Sequence, residues 1–211
     1  MLPRLCPTSG LRLGRLTSIA RHLEISMPKV NTFSASKWIA NNTSGGTELS
    51  AVTQRSLADF TIMWNFFEST LCNNRASVNE FKRIIANFQP AQLDQMTIQK
   101  LNSCLSYWRT RYCISDGFNQ LFNELNFRLN DCKTDVKEVL NETKIDLRDK
   151  IFALMILIYR LRNNLFHGLK SIQILNNQVD NINNASFCIA AILESIPSIL
   201  VQPPQTTAAN W

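Results

Sequence analysis

Polar and charged side chains interrupt an otherwise apolar stretch near the end of the chain, which reads YRLRNNLFHG from Tyr159 to Gly168. Such groups carry a desolvation cost unless they are hydrogen-bonded or face a cleft or an interface. Two of them have types suited to phosphate chemistry. The imidazole of His167 titrates near neutral pH and can move a proton, and the guanidinium of Arg162 stays charged and can grip phosphate oxygens in a two-pronged way. Together they would support attack of a ribose 2′-hydroxyl on the neighbouring phosphorus.

Helical spacing gives this pair a geometric problem. On a straight helix Asn163 and His167 share a face, but Arg162 and His167, five residues apart, differ by about 140° around the axis. A long arginine side chain, a helix that loosens at Gly168, or a second subunit related by two-fold symmetry would each close that gap. The dimer would also bring two His167 side chains into one cleft, where one could act as base and the other as acid.

A long helix must position these residues. It is predicted to begin near Asp146, whose carboxylate can cap free amides, and to end at Gly168. Its length is about 33 Å at 1.5 Å per residue, and apolar residues occupy more than one of its faces. We expect it to lie at the centre of the fold.

The rest of the chain also favours helices, because 6 glycines and 7 prolines in 211 residues are too few for an all-β fold with many turns. A helix is predicted from Thr53, and Ser77 with Glu80 has the spacing of a capping box. The further predictions are amphipathic segments at Met96 to Tyr107 and Phe118 to Leu129, a short exposed turn or helix at Val136 to Leu140, an Asn-rich connection at 176–184, and a last helix from Phe187 to Val201, bent or broken at Pro197.

The segment Arg162-Asn163-x-x-x-His167-Gly168 resembles the R-polar-x(3 to 5)-H motif of HEPN domains, and RNNLFHG is most similar to their Apea-like branch. The resemblance implies an all-α, HEPN-like helical bundle that forms a two-fold homodimer. It also implies an endoribonuclease that needs no metal or other cofactor and leaves a 2′,3′-cyclic phosphate, in antiphage defence or as a toxin. Arg162, Asn163 and His167 are then the predicted catalytic residues, with Asn164 and Arg160 as substrate-binding residues.

The implied partners are RNA, a second copy of the chain, and an antitoxin or other regulatory protein. One feature departs from the family pattern. Some HEPN proteins carry a tyrosine two residues beyond the histidine, as a target for nucleotidylation by an antitoxin, but this position is Leu169. That form of regulation is therefore not expected.

Three interpretations fit residues 1–26, which carry four arginines and one glutamate. The segment is a start misassigned upstream of Met27, an organelle transit peptide or a disordered basic arm. The predicted organisation continues with an irregular segment at 27–50, the helical domain at 51–202 and a disordered tail at 203–211. No apolar run reaches the roughly 20 residues that a membrane span requires. Six cysteines without a C-x-x-C pair favour a reducing, cytoplasmic location.

Less specific interpretations of the same residues stay open. His167 in a last helical turn could satisfy free carbonyls, and Arg162 could pair with an internal carboxylate. Arg109 and Arg111, next to aromatic residues, are a second candidate for contact with RNA. The alternative functions are a non-catalytic HEPN-like module that binds RNA or protein, and a helical scaffold without a ligand.

Overall fold

Helices form nearly all the regular structure of the computed structural model, which describes residues 33–43, 48–90, 93–166 and 172–196. The helices are α1 (Ala35–Asn42), α2 (Ala51–Leu71), α3 (Val78–Ala86), α4 (Gln95–Tyr112), α5 (Gln120–Asn123), α6 (Lys133–Leu140), α7 (Leu147–Phe166), α8 (Ile172–Leu175) and α9 (Val179–Glu194), with a 3-10 turn at Asn176–Gln178. Strands β1 (Cys113–Ile114) and β2 (Gly117–Phe118) form an antiparallel hairpin, in which Cys113 pairs with Phe118. The prediction of an all-α fold is confirmed at this level.

The long helix α7 lies at the centre, as its composition predicts. Every side chain from Ile151 to Ile158 is buried, so the helix packs on all sides, against α3, α4, α6 and α9. Aromatic rings join its second half to two neighbours: Tyr159 stacks with Trp64 of α2 at 6.3 Å and meets Phe81 of α3 edge-on at 5.6 Å. This packing fixes the polar end of α7 relative to α2.

Side-chain caps set the starts of several helices where the sequence indicates them. Ser77 accepts a hydrogen bond from the Glu80 amide at 3.3 Å, so α3 begins after the predicted Ser77 cap, while the Glu80 carboxylate binds Asn73 and Arg83. Asp146 Oδ1 accepts from the Arg148 amide at 2.8 Å at the start of α7. Both contacts satisfy amides that have no partner within the helix.

The helix predicted at Phe118 to Leu129 is wrong. Only α5 is helical there, because Gly117 has φ +133° in the hairpin and Asn126 has φ 52°, a left-handed conformation that ends regular structure. Phe118, Phe122 and Phe127 still cluster, with ring centroids 4.4 and 5.2 Å apart in sequence order. Their spacing therefore reflects a common core contact rather than one helix.

Three other features differ from the predictions. Helix α6 carries Val136, Val139 and Leu140 into the core instead of lying exposed. Helix α9 already begins at Val179, within the predicted Asn-rich connection. The segment at 27–50 is not wholly irregular, since α1 falls inside it and belongs to the same compact unit as the later helices. Helix α1 is short and buries only Ser36. It therefore lacks the buried apolar stripe by which a sequence pattern indicates a helix.

Several predictions fall outside the described residues: the leader at 1–26, the tail at 203–211, the bend at Pro197, and the site residue His167 with Gly168 and Leu169. Within the described part of the chain, no helix combines the length and apolarity needed to cross a bilayer.

Candidate functional site

The polar end of α7 has two sides with different neighbours. Arg160 and Asn164, one helical turn apart, face the loop that follows α5, and Arg162 faces α2. The i and i+4 positions of a helix lie one above the other, which explains why Arg160 and Asn164 act on the same loop. The predicted site residues are therefore divided between two environments.

Arg160 is buried and its guanidinium is committed to the fold. Nε donates to the Leu125 carbonyl at 3.0 Å and Nη2 donates to the Asn126 carbonyl at 2.5 Å. Nη1 forms an ion pair with Asp131 Oδ2 at 3.2 Å, and only 4% of the arginine side chain is exposed. Burial lowers the pKa of Arg160 and the Asp131 charge opposes that shift. These contacts give Arg160 a structural role, and its substrate-binding role stays a prediction.

Asn164 completes this contact with the loop. Its Nδ2 donates to the Glu124 carbonyl at 2.9 Å, and the residue is 2% exposed. The three carbonyls at positions 124–126 follow the end of α5, where a helix leaves acceptors without intrahelical donors. Arg160 and Asn164 of α7 donate to these three carbonyls. The polar residues of α7 therefore hold the loop in place. Like Arg160, Asn164 is not exposed for the substrate contact predicted for it.

Arg162 is half-buried and lies over an aromatic ring. Its guanidinium carbon is 5.5 Å from the centroid of the Trp64 ring, a cation–π distance. Nη1 also donates to Asn163 Oδ1 at 3.3 Å. The indole Nε1 of Trp64 in turn donates a hydrogen bond to Glu68 Oε2 at 2.9 Å. This bond fixes the plane of the indole ring. The guanidinium is therefore held in one orientation by α2 and by its neighbour on α7.

Asn163, with 4% exposure, contacts Arg162 rather than an open surface. Asn163 therefore touches the guanidinium, and its orienting role stays a prediction. Trp64 and Asn163 both contact the Arg162 guanidinium. Sequence spacing gave no sign of Trp64, since it sits in a stripe with Phe60 and Phe67 that is typical of core residues and is buried as one.

The second candidate surface, near the end of α4, is also engaged internally. Arg109 donates to the Leu140 and Val139 carbonyls, both at 3.1 Å, and pairs with Glu142. Arg111 lies over the ring of Tyr112 at 5.8 Å. Arg109 therefore joins α4 to the end of α6, and Arg111 packs on the aromatic core.

Across the described ranges, no three His, Cys, Asp or Glu side chains come together as metal ligands would. Comparisons with family models, with curated proteins and with solved structures find no match to this chain. The residues themselves are therefore the basis for a functional proposal.

Proposed function

We propose that this protein is an endoribonuclease of HEPN type, in which the end of α7 and the residues directly after it form the catalytic site. The observation that carries the proposal is the half-buried guanidinium of Arg162, held over Trp64 five residues before His167. A cation held in advance costs little reorganisation when charge develops on a phosphorane. Arg162 would bind phosphate oxygens, and His167 would transfer protons.

The proposed reaction is an internal transfer at phosphorus. The ribose 2′-oxygen loses its proton to a base and forms a bond to phosphorus, while the bond to the 5′-oxygen breaks and that oxygen takes up a proton. The products are a 2′,3′-cyclic phosphate and a free 5′-hydroxyl. DNA lacks the nucleophile and would be spared. A two-fold dimer would supply two His167 side chains, one for each proton transfer, and is part of the proposal.

The contacts of the described residues change the predicted roles within this site. Asn163 acts by positioning Arg162, and Arg160 and Asn164 hold the loop at 124–131 against α7. The catalytic group of the proposal is therefore reduced to Arg162 and His167. A role in antiphage defence or as a toxin, with an antitoxin or other regulatory partner, belongs to the same proposal and rests on the motif alone.

A non-catalytic module that binds RNA or protein is the second candidate. It is favoured by the burial of Arg160, Asn163 and Asn164, each less than 5% exposed. In that case the polar end of α7 would serve folding, and the residues that resemble the motif would have no substrate to contact.

The two functions are separated by cleavage of a mixed-sequence RNA in EDTA. The enzyme predicts fragments with cyclic phosphate ends from the parent protein, and their loss in both His167→Ala and Arg162→Ala. Lys82→Ala is the control, because it removes a cation on α3 that is distant from the polar end of α7. This variant should cleave RNA like the parent. Retention of intact RNA by the parent supports the binding module, and cleavage that survives His167→Ala contradicts the proposed site.

A further inference from the structure

A small polar cavity lies beside the end of α7, where it meets the end of α4 and the start of α9. Arg111, Asn164, Gln178 and Asn181 are among the residues that line it. Its volume, measured as the space open to a water-sized sphere, is about 10 Å³. One water needs about 10 to 15 Å³ on this measure, so the volume of the cavity is close to that of a single water.

Two buried polar atoms at this cavity have no hydrogen-bond partner among the described residues. They are Nε of Arg111, a donor, and Oδ1 of Asn164, an acceptor. The orientation of the Asn164 amide follows from its other end, because Nδ2 donates to the Glu124 carbonyl at 2.9 Å and a flipped amide would lose that bond. An unmatched buried polar group costs about 1 to 3 kcal/mol, so both atoms require a partner.

Two other polar side chains at the cavity, Asn181 and Gln178, are already hydrogen-bonded. Asn181 Oδ1 accepts from the Tyr107 hydroxyl at 2.6 Å, and Asn181 Nδ2 donates to Gln178 Oε1 at 2.5 Å. Tyr112 and Glu124 also line the cavity, but Arg111 Nε and Asn164 Oδ1 are the buried lining atoms that lack a hydrogen-bond partner among the described residues. A cation would be repelled by the guanidinium, and an anion by the Asn164 oxygen. Water can accept from the first group and donate to the second.

We infer that one internal water binds in this cavity, accepts a hydrogen bond from Arg111 Nε and donates one to Asn164 Oδ1. The bridge joins the end of α4 to the polar end of α7. Arg111 is then a positioning residue that acts through Asn164 on the loop after α5. This inference does not depend on RNA cleavage, because it concerns only the contacts that hold the end of α7.

A high-resolution crystal structure of the parent protein tests the bridge directly. We expect one ordered water within about 3.2 Å of both Arg111 Nε and Asn164 Oδ1. In Asn164→Leu, which removes the acceptor and fills the space, that water should be lost. No density in the parent cavity, or a direct bond between Arg111 and Asn164, would overturn the inference.

A double-mutant cycle tests the bridge in solution and does not need crystals. The thermal midpoints of Arg111→Leu, Asn164→Leu and the double variant are compared with that of the parent. Since one bridge is broken by either change, the double variant should lose less than the sum of the single losses. The matched control pairs Asn164→Leu with Arg109→Leu, since Arg109 lies on α4 like Arg111 but does not line the cavity. The losses of this control pair should be additive. Additive losses for the Arg111 pair would contradict the bridge.

Discussion

Replacing Arg160 by methionine should strongly destabilise the fold, because this arginine joins α7 to the loop after α5. Its guanidinium binds the Leu125 and Asn126 carbonyls and pairs with Asp131. Methionine has a similar length and fills much of the space of the aliphatic stem, so the change mainly removes the charged group. The Leu125 and Asn126 carbonyls then lose a donor, and the buried Asp131 carboxylate loses its ion-pair partner but keeps the bond from the Arg128 amide.

The expected size of the loss follows from these contacts. Breaking a buried ion pair by removing one partner costs about 3 to 5 kcal/mol, because it leaves the other charge uncompensated. The carbonyl bonds belong to the same network and are not added separately. We therefore expect Arg160→Met to lower the free energy of unfolding by about 4 kcal/mol, a large part of the roughly 5 to 15 kcal/mol typical of a domain.

Urea unfolding followed by tryptophan fluorescence measures this loss. Arg162→Met is the matched control, with the same exchange two residues away on the same helix. Its guanidinium is half-buried over Trp64, and losing such a cation–π contact costs about 1 kcal/mol. The midpoint should fall much further for Arg160→Met, with similar slopes for both variants. Equal losses in the two variants would refute the assignment of Arg160 to the fold.

Three further results are expected. Trp64→Phe should weaken the hold on Arg162 and slow RNA cleavage about fivefold, the equivalent of 1 kcal/mol; an unchanged cleavage rate would contradict the cation–π role. Burial raises the pKa of the Cys72 thiol to about 12. Iodoacetamide at pH 8 should therefore modify Cys132 in the native protein well before Cys72, which peptide mass mapping would show. Rapid modification of Cys72 would contradict its burial. A backbone N–H bond at the start of α4 lowers the pKa of Asp94, so its folded form binds a proton less readily than the unfolded chain. The stability it contributes is present above the unfolded pKa of about 3.9 and is lost as pH falls through the folded value. Asp94→Asn keeps a capping oxygen but loses the titrating carboxylate. Between pH 7 and pH 3 its urea midpoint should fall less than that of the parent protein. An equal fall in both proteins would contradict the link between Asp94 ionisation and stability.

The sequence predicts the helices that have strong local signals. Ser77 and Asp146 cap α3 and α7 as expected, and the apolar residues of α7 are buried on all sides. These features depend on neighbours in the chain, so spacing alone is enough to find them. The start of α9 was missed because Asn181 is unfavourable inside a helix, and its cost is offset by a bond to Tyr107, 74 residues away.

The candidate site was only partly predictable for the same reason. The sequence shows that polar residues interrupt an apolar helix, but the partners of Arg160 and Asn164 come from the distant loop at 124–131. That loop turns at Asn126, whose left-handed backbone is not indicated by the apolar spacing around it. The donors of Arg160 and Asn164 satisfy the protein's own carbonyls, a role that the sequence pattern does not indicate.

Cleavage of an RNA with a single 2′-deoxy substitution tests the central claim most directly. A short RNA that the parent protein cuts at one position in EDTA is compared with the same strand lacking the 2′-hydroxyl at that position. If Arg162 and His167 direct attack by the 2′-oxygen, the substituted strand stays intact at that position while the unmodified strand yields a 2′,3′-cyclic phosphate. Cleavage of the substituted strand at the same position would contradict the proposed mechanism.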